Sequence, residues 1–261
     1  MTTVNTILAE TGWILADGAT GTNFFKQGLE TGYPPELWNV ERPEEVRSLH
    51  AAFIDAGSQL VLTNSFGGTH HRLRLHDAQD RVHELNLAAA RLARTAADGG
   101  RDRNGRPVLV AGSMGPTGEL FAPMGALDYD DARVAFTEQA EALAEGGVDL
   151  LWIETMSSLE EVRAAIDAAA STGLDVAACM TFDTAARSMM GVTPADFARQ
   201  AAGFGAAWVG ANCGIGPAEL MHSIQEMLPV VETPVIAKGL SLIHISEPTR
   251  QAEISYAVFC L

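Results

Sequence analysis

Short apolar runs alternate with longer amphipathic runs along almost the whole chain, and this alternation restricts the fold more than any other feature. The apolar runs are nearly continuous, which is typical of parallel strands covered on both faces. The predicted strands span residues 13–17, 59–64, 107–113, 148–154, 175–181, 207–212 and 234–238. The predicted helices span residues 43–56, 78–97, 129–145, 159–171, 194–204 and 217–228. This β-then-α order predicts an α/β protein with a parallel sheet and right-handed crossovers.

Two parallel architectures satisfy this order, an open doubly wound sheet and a (β/α)8 barrel. The sequence after the first predicted strand, DGATGTN, lacks the GxGxxG pattern of dinucleotide-binding sheets. Polar residues stand at the C-terminal ends of the predicted strands, among them Asp17, Asn64, Ser113, Glu154 and Cys213. In a barrel such positions converge on one mouth, where the active site lies. We therefore predict an incomplete (β/α)8 TIM barrel, with about seven strands present and the last unit missing.

The charge and composition of the chain favour a small-molecule substrate. The 261 residues carry a formal net charge of −16 at pH 7, so nucleic acids and anionic membranes would repel the protein. No segment has the apolar length of a membrane span, and the N-terminus lacks the pattern of a secretory signal. The three cysteines are widely spaced and odd in number, which argues against a disulfide framework and predicts a cytoplasmic protein.

Residues 240–261 differ in character from the rest of the chain. Their sequence, LSLIHISEPTRQAEISYAVFCL, shows no βα unit, and Pro248 interrupts it. A barrel needs another helix and strand here to close the sheet. The segment SLIHISEPTR also resembles a translated sequencing adapter. We therefore expect a barrel over residues 1–239 and a non-native tail over residues 240–261, with a real but divergent C-terminus as the alternative.

Cys213, in the motif GANCG, is a candidate for metal or nucleophilic chemistry. A cysteine is more often a small buried side chain than a ligand, but Cys213 directly follows a strand at the predicted mouth. A thiolate at this position can bind zinc or act as a nucleophile. Cys179 falls inside a predicted strand and is expected in the core, whereas Cys260 belongs to the tail.

Charged residues also end several of the predicted strands. Asp17, in LADGATGT, and Glu154, in WIET, are carboxylates whose burial is costly without a partner or a substrate. They can hold a substrate ammonium group, act as general acid and base, or bind a metal; caps or loop hydrogen bonds are the structural alternative. The run AGSMGPTGE, which contains Ser113, can offer backbone N–H groups to an anion or simply form a tight loop. Lys238 is a candidate Schiff-base lysine of an aldolase-type barrel.

Several motifs together resemble the homocysteine S-methyltransferase family. They are LADGATGTN, ELWN, HAAFIDAGSQLVLTNSFGG, AGSMGPTGE, WIET and GANCG, and the similarity runs from about residue 13 to residue 239. No single motif is specific, but their order and their positions at strand ends are. The motifs resemble those of bacterial betaine–homocysteine methyltransferase-like proteins and of the homocysteine-binding module of cobalamin-dependent methionine synthase.

The resemblance implies a zinc-dependent enzyme that transfers a methyl group to the thiol of homocysteine and so forms methionine. Cys213 matches one zinc ligand of the family, whereas the GGCC motif that supplies two more is absent from the sequence. Asp17 and Glu154 match positions that contact homocysteine, with Asn64 and the turn that begins at Ser113 as further substrate contacts. The resemblance leaves the methyl donor open between a betaine, a sulfonium and methylcobalamin.

The missing motif predicts that the chain as written is impaired, because one cysteine does not make a closed thiolate site for zinc. Open sheet edges also favour association, so a homo-oligomer is expected. Two alternatives remain beside the methyltransferase. One is an aldolase-type barrel enzyme that uses Lys238, and the other is an inactive fragment that binds homocysteine.

Overall fold

A six-stranded parallel sheet forms the centre of the protein, as seen in a computed structural model that describes residues 3–102, 104–214 and 216–239. Its order, β1-β2-β3-β4-β5-β6, follows the chain, so every crossover joins neighbouring strands. The strands are β1 (Leu60–Leu62), β2 (Leu109–Met114), β3 (Leu150–Met156), β4 (Val176–Met180), β5 (Trp208–Cys213) and β6 (Val235–Gly239). The sheet is curled, which confirms an α/β fold of the incomplete TIM-barrel type.

Helices follow the strands in the order that the sequence predicts. Within the described residues the α-helices are α1 (Val4–Thr11), α2 (Thr20–Lys26), α3 (Trp38–Glu41), α4 (Pro43–Ala56), α5 (His70–Leu73), α6 (Val82–Gly99), α7 (Tyr129–Glu145), α8 (Leu159–Ala169), α9 (Pro194–Phe204) and α10 (Pro217–Met227). Short 3-10 turns precede or extend several of them. The helix predicted from residue 78 begins at Val82, because Gln79–Arg81 forms such a turn.

Local sequence signals fix the ends of the best-predicted helices. In α9, the hydroxyl of Thr193 accepts a hydrogen bond from the amide of Asp196, and Pro194 occupies the first turn, where its missing N–H is harmless. Helix α4 also begins with a proline, Pro43, and ends at Gly57, whose φ of 110° is a conformation that glycine adopts without strain. These helices therefore begin and end where the sequence predicts.

The first predicted strand, residues 13–17, forms a single bridge instead of a regular strand. Ala16 bridges Leu60 in parallel orientation, and the amide of Asp17 donates to the carbonyl of Leu60. The next hydrogen bond along this edge is accepted by a side chain: the amide of Leu62 donates to Asp17 Oδ2 at 2.8 Å. The segment therefore lies beside β1 where a first barrel strand is expected, but its pairing ends at Asp17.

Side chains alternate between the two faces of the sheet. In β3, Leu151 and Ile153 pack against the helices, while Leu150 and Trp152 belong to a separate apolar cluster on the inner face. The inner cluster also contains Cys179, which is fully buried and confirms the core position predicted for it. The next inward position of β3 is Glu154. The inward-facing positions of a strand are thus apolar in the inner core and polar at its C-terminal end, where they reach the mouth.

Two further expectations concern the chain as a whole. The boundary after residue 239 and the tail over residues 240–261 lie outside the residues that the structure describes. Among the described helices, none combines the length and the apolar character that a membrane crossing needs.

Candidate active site

A cavity of about 610 Å³ lies at the C-terminal ends of the strands. It is the place where a barrel builds its active site. All five predicted site residues line it, together with Lys238: they are Asp17, Asn64, Ser113, Glu154 and Cys213. The structure therefore brings together residues that lie as far apart in the chain as Asp17 and Lys238. The stretch after the first edge segment, from Gly18 into the first turn of α2 at Thr22, lines part of the same cavity.

Glu154 is buried at the mouth and is fixed by two hydrogen bonds. Ser113 Oγ donates to Glu154 Oε1 at 2.5 Å, and Asn212 Nδ2 donates to Glu154 Oε2 at 3.3 Å. All three residues stand at inward positions of adjacent or nearby strands, namely β2, β3 and β5. Hydrogen bonds to both oxygens favour one orientation of the carboxylate. Glu154 is therefore held at the cavity and is only 8% exposed.

Asp17 and Lys238 form a buried ion pair on the other side of the cavity. Lys238 Nζ lies 3.6 Å from Asp17 Oδ1, and the side chains are 16% and 1% exposed. Burial raises the pKa of Asp17 to about 6, although the charge of Lys238 and the amide of Leu62 oppose the rise. Asp17 is thus mainly ionised at neutral pH. Its Oδ1, the oxygen that faces Lys238, is buried and accepts no hydrogen bond from the described residues.

The ammonium group of Lys238 is stabilised by the carboxylates around it. Burial alone would lower the pKa of Lys238, but the negative charges of Glu154 and Asp17 outweigh this effect and raise the pKa above its usual value. Lys238 therefore stays protonated at neutral pH. A Schiff-base lysine must be neutral when it attacks a carbonyl, so this environment does not favour the aldolase alternative.

Cys213 ends β5 in a left-handed backbone conformation, with φ of 58°. Its Sγ lies 3.6 Å from Thr155 Oγ1 and 3.6 Å from Asn212 Nδ2. Burial raises the pKa of the Cys213 thiol, and the nearby charge of Glu154 raises it further. The thiol is therefore protonated near neutral pH, and only a bound cation would hold it as a thiolate.

Asn64 and the turn that begins at Ser113 already have partners within the protein. Asn64 Nδ2 donates to the carbonyl of Pro35 at 2.7 Å and to Asn39 Oδ1 at 3.0 Å. The amide of Ser113 donates to Thr63 Oγ1, and the amide of Gly115 donates to the carbonyl of Phe66. These groups shape the cavity wall. The N–H groups of Ser113 and Gly115 are thus bonded within the protein, which does not favour them as donors to a substrate anion.

The likeness of this chain to known proteins agrees with the geometry of the mouth. A sequence profile described as homocysteine S-methyltransferase matches residues 14–255. The chain belongs to the homocysteine S-methyltransferase family. Methionine synthase of Mycobacterium tuberculosis is 29% identical over 238 residues, and methionine synthase of Mycobacterium leprae is 28% identical over 236 residues, each over 85% of this chain. The chain spans only 20% and 19% of these two relatives.

Solved structures of the family share the fold. The homocysteine methyltransferase MmuM from Escherichia coli in its oxidised form matches with a TM-score of 0.79 at 23% identity, over 92% of this chain and 87% of that one. Its metallated form matches with a TM-score of 0.76 at 24% identity, over 89% and 85%. These values confirm the barrel-type architecture predicted from the sequence.

The family's expected zinc is not accommodated by the described residues alone. Cys213 supplies one thiol to the cavity, and no group of three or more His, Cys, Asp or Glu side chains within the described ranges is placed to hold a metal ion. A structural or catalytic zinc site needs at least three protein ligands. The donor set of this part of the chain therefore does not fit a zinc ion.

Two residues at the mouth escaped the sequence-based site prediction. Asn212 was expected at a strand end, but nothing in its position shows that its side chain contacts both Glu154 and Thr155. Thr155 follows Glu154 in the sequence, and its φ of 62° has no signature in a WIET motif. The adjacency of Asn212 to Cys213 in GANCG is the one sequence signal that points to this part of the site.

Proposed function

We propose that this chain forms the homocysteine-binding barrel of a homocysteine S-methyltransferase. The carrying observation is that two buried carboxylates and one thiol share a single cavity at the C-terminal ends of the strands: Asp17, Glu154 and Cys213. Homocysteine presents an ammonium group and a thiol, so one end of the substrate suits the carboxylates and the other suits the neighbourhood of Cys213. The family membership of the chain supports the same substrate.

The ammonium group of homocysteine is proposed to bind between Asp17 and Glu154. Asp17 Oδ1 accepts no hydrogen bond from the described residues, and Lys238 is 3.6 Å away. Charge-assisted hydrogen bonds to carboxylates are the stronger kind. Lys238 neutralises part of the negative charge in the cavity and keeps Asp17 ionised, so that the carboxylate can bind a substrate cation.

The reaction proposed for the complete active site is a methyl transfer to sulfur. The sulfur of homocysteine attacks the methyl carbon of the donor, and an S–C bond forms while the donor keeps the electron pair of the broken bond. The thiol proton passes to solvent. A betaine, a sulfonium and methylcobalamin all have the activated leaving group that this displacement requires. The role of the described residues is to bind and orient the substrate.

We further infer that this 261-residue chain binds zinc weakly by itself and is impaired as a methyltransferase. Cys213 is one ligand of the proposed site, Cys179 is buried in the inner core, and Cys260 lies outside the described residues. Zinc titration of the purified chain tests this inference, with Cys213→Ser as the matched variant. We expect weak binding in both proteins. Tight, stoichiometric zinc binding that disappears in Cys213→Ser would refute the claim of impairment.

Calorimetry with L-homocysteine tests the proposed substrate. Asp17→Asn and Glu154→Gln each remove one negative charge from the cavity, and each is expected to weaken binding about 10-fold or more. Glu160→Gln, on the exposed side of α8, is the control and should leave affinity unchanged. Equal affinity in all four proteins would contradict the assignment. Binding without methyl transfer would identify the chain as a homocysteine-binding fragment.

Borohydride trapping distinguishes the aldolase alternative. A Schiff base between Lys238 and a carbonyl substrate would be reduced to a stable adduct with a defined mass. Because Lys238 is held as an ammonium ion by Glu154 and Asp17, we expect no adduct at neutral pH. Trapping of a carbonyl compound at Lys238 would favour the aldolase instead.

A further inference from the structure

Thr155 has an unusual backbone conformation directly beside Glu154. Its φ is 62°, in the left-handed region that β-branched residues rarely adopt. The pairing of β3 with β4 shifts here, because Ile153 pairs with Ala178 whereas Met156 pairs with Met180. Three steps along β3 thus match two steps along β4, which is a bulge with one extra residue. Bulges of this kind redirect side chains near active sites, and Glu154 lies within this one.

The side chain of Asn212 holds this bulge from two sides. Its Oδ1 accepts a hydrogen bond from the amide of Thr155 at 2.9 Å, and its Nδ2 donates to Thr155 Oγ1 at 2.7 Å. Asn212 is 2% exposed and belongs to β5, which is separated from β3 by β4. An unfavourable backbone conformation persists only where surrounding contacts impose it. The two hydrogen bonds from Asn212 are such contacts.

The same amide group also reaches the residues proposed to face the substrate. Asn212 Nδ2 lies 3.3 Å from Glu154 Oε2 and 3.6 Å from Cys213 Sγ, and Thr155 Oγ1 lies 3.6 Å from the same sulfur. We propose that Asn212 is a positioning residue that locks the Glu154–Thr155 bulge and thereby fixes the Glu154 carboxylate and the Cys213 thiol at the cavity. The effect of Asn212 on homocysteine binding rests on the proposed function, whereas its effect on the conformation of the bulge does not.

Hydrogen exchange at the amide of Thr155 tests the lock without any ligand. Asn212→Ala removes the acceptor of this N–H, so exchange at Thr155 should become at least about 10-fold faster, while the amides of Leu151 and Ile153 in the same strand keep their rates. Asn212→Asp retains an oxygen acceptor and should keep the Thr155 rate within about 3-fold of the parent. Asn104→Ala, at an exposed turn, is the control for loss of an asparagine.

Homocysteine binding then tests what the lock does for the site. We expect Asn212→Ala to weaken affinity about 10-fold. Asn212→Asp should weaken it as much, because it loses the donor to Glu154 and adds a negative charge beside it. Glycine adopts a φ of 62° without strain, so in Thr155→Gly the backbone conformation at residue 155 no longer depends on the hydrogen bonds from Asn212. In the Thr155→Gly background, Asn212→Ala should therefore cost only about 3-fold, a non-additive result that a purely structural role would not give.

The possible outcomes separate the two proposals. Unchanged exchange at Thr155 in Asn212→Ala, or an equal loss of affinity in both backgrounds, would overturn the positioning role. Failure of the parent protein to bind homocysteine would remove the proposed substrate and leave the exchange result intact. If Asn212→Ala does not fold, the exchange rate of the Thr155 amide in Asn212→Asp still decides. The role is then refuted if Asn212→Asp exchanges at Thr155 as fast as an unprotected amide.

Discussion

His50 provides the most direct test of how burial controls the stability of this protein. It lies in α4, is 2% exposed, and its Nε2 has no hydrogen-bond partner among the described residues. Burial lowers the pKa of His50 from its ordinary 6.5 to about 4. An imidazolium in this position would have lost its hydration without gaining a partner. The folded state therefore keeps His50 neutral over a pH range in which the unfolded chain is protonated.

The sign of the effect follows from the two pKa values. Well above pH 6.5 His50 is neutral in both the folded and the unfolded state and contributes no pH dependence. As the pH falls from 6.5 toward 4, the unfolded chain takes up a proton that the folded protein does not, so stability is lost. Between about pH 7.5 and pH 5, the loss from this one residue is about 2 kcal/mol in the free energy of unfolding. This loss of stability is complete once the pH lies below the folded-state pKa of His50.

Asp17 acts in the opposite direction and has to be separated from His50. Its folded-state pKa of about 6 lies above the ordinary 3.8, so the folded protein gains a proton before the unfolded chain does as the pH falls. Over the same interval this stabilises the fold by about 1.4 kcal/mol. The two residues largely cancel in the parent protein, and only the comparison with a His50 variant isolates the histidine.

Urea denaturation at about pH 7.5 and pH 5 measures the effect. The test compares the parent with His50→Leu, which removes the titrating group, and with His222→Leu, which removes an exposed histidine of α10. From the higher pH to the lower, His50→Leu should lose about 2 kcal/mol less than the parent, while His222→Leu should follow the parent. If His50→Leu and the parent lost the same free energy, the argument that burial keeps His50 neutral would be refuted.

Two other substitutions test how the sheet positions the mouth. A Cβ at Gly210 would lie 2.2 Å from the carbonyl oxygen of Ile236, so Gly210→Ala should lower the free energy of unfolding by about 1–3 kcal/mol, as measured by thermal or urea unfolding. The control, Gly203→Ala, lies in α9 with open space around it and should be neutral or stabilising. Equal effects of the two substitutions would contradict the clash. Lys238→Met removes the partner of buried Asp17 and should cost about 3 kcal/mol near pH 7.5. The cost should be smaller near pH 5, where Asp17 is protonated, and a loss that does not depend on pH would show that the ion pair is not its cause.

Much of the candidate site was predictable because strand ends are visible in the sequence. Apolar runs that end in a polar residue place that residue at the mouth of a parallel sheet, and Glu154, Ser113 and Cys213 all line the cavity as expected. The contacts of these residues were not predictable. Ser113 was expected to contact a substrate, and nothing in the sequence indicated that its hydroxyl also donates to Glu154. Lys238 was considered as a nucleophile, but it forms an ion pair with Asp17.

The sequence by itself determined the order of elements, the polar residues at the strand ends and the family, because these depend on local periodicity and on short motifs. The tertiary structure alone decided which polar groups meet across the mouth. Helix α8, strand β4 and helix α9 separate Thr155 from Asn212 in the chain, and the hydrogen bonds between these two residues depend on a bulge in β3 and on a left-handed residue at its end. Such contacts arise from the curvature and register of the whole sheet, which no local segment of the chain specifies.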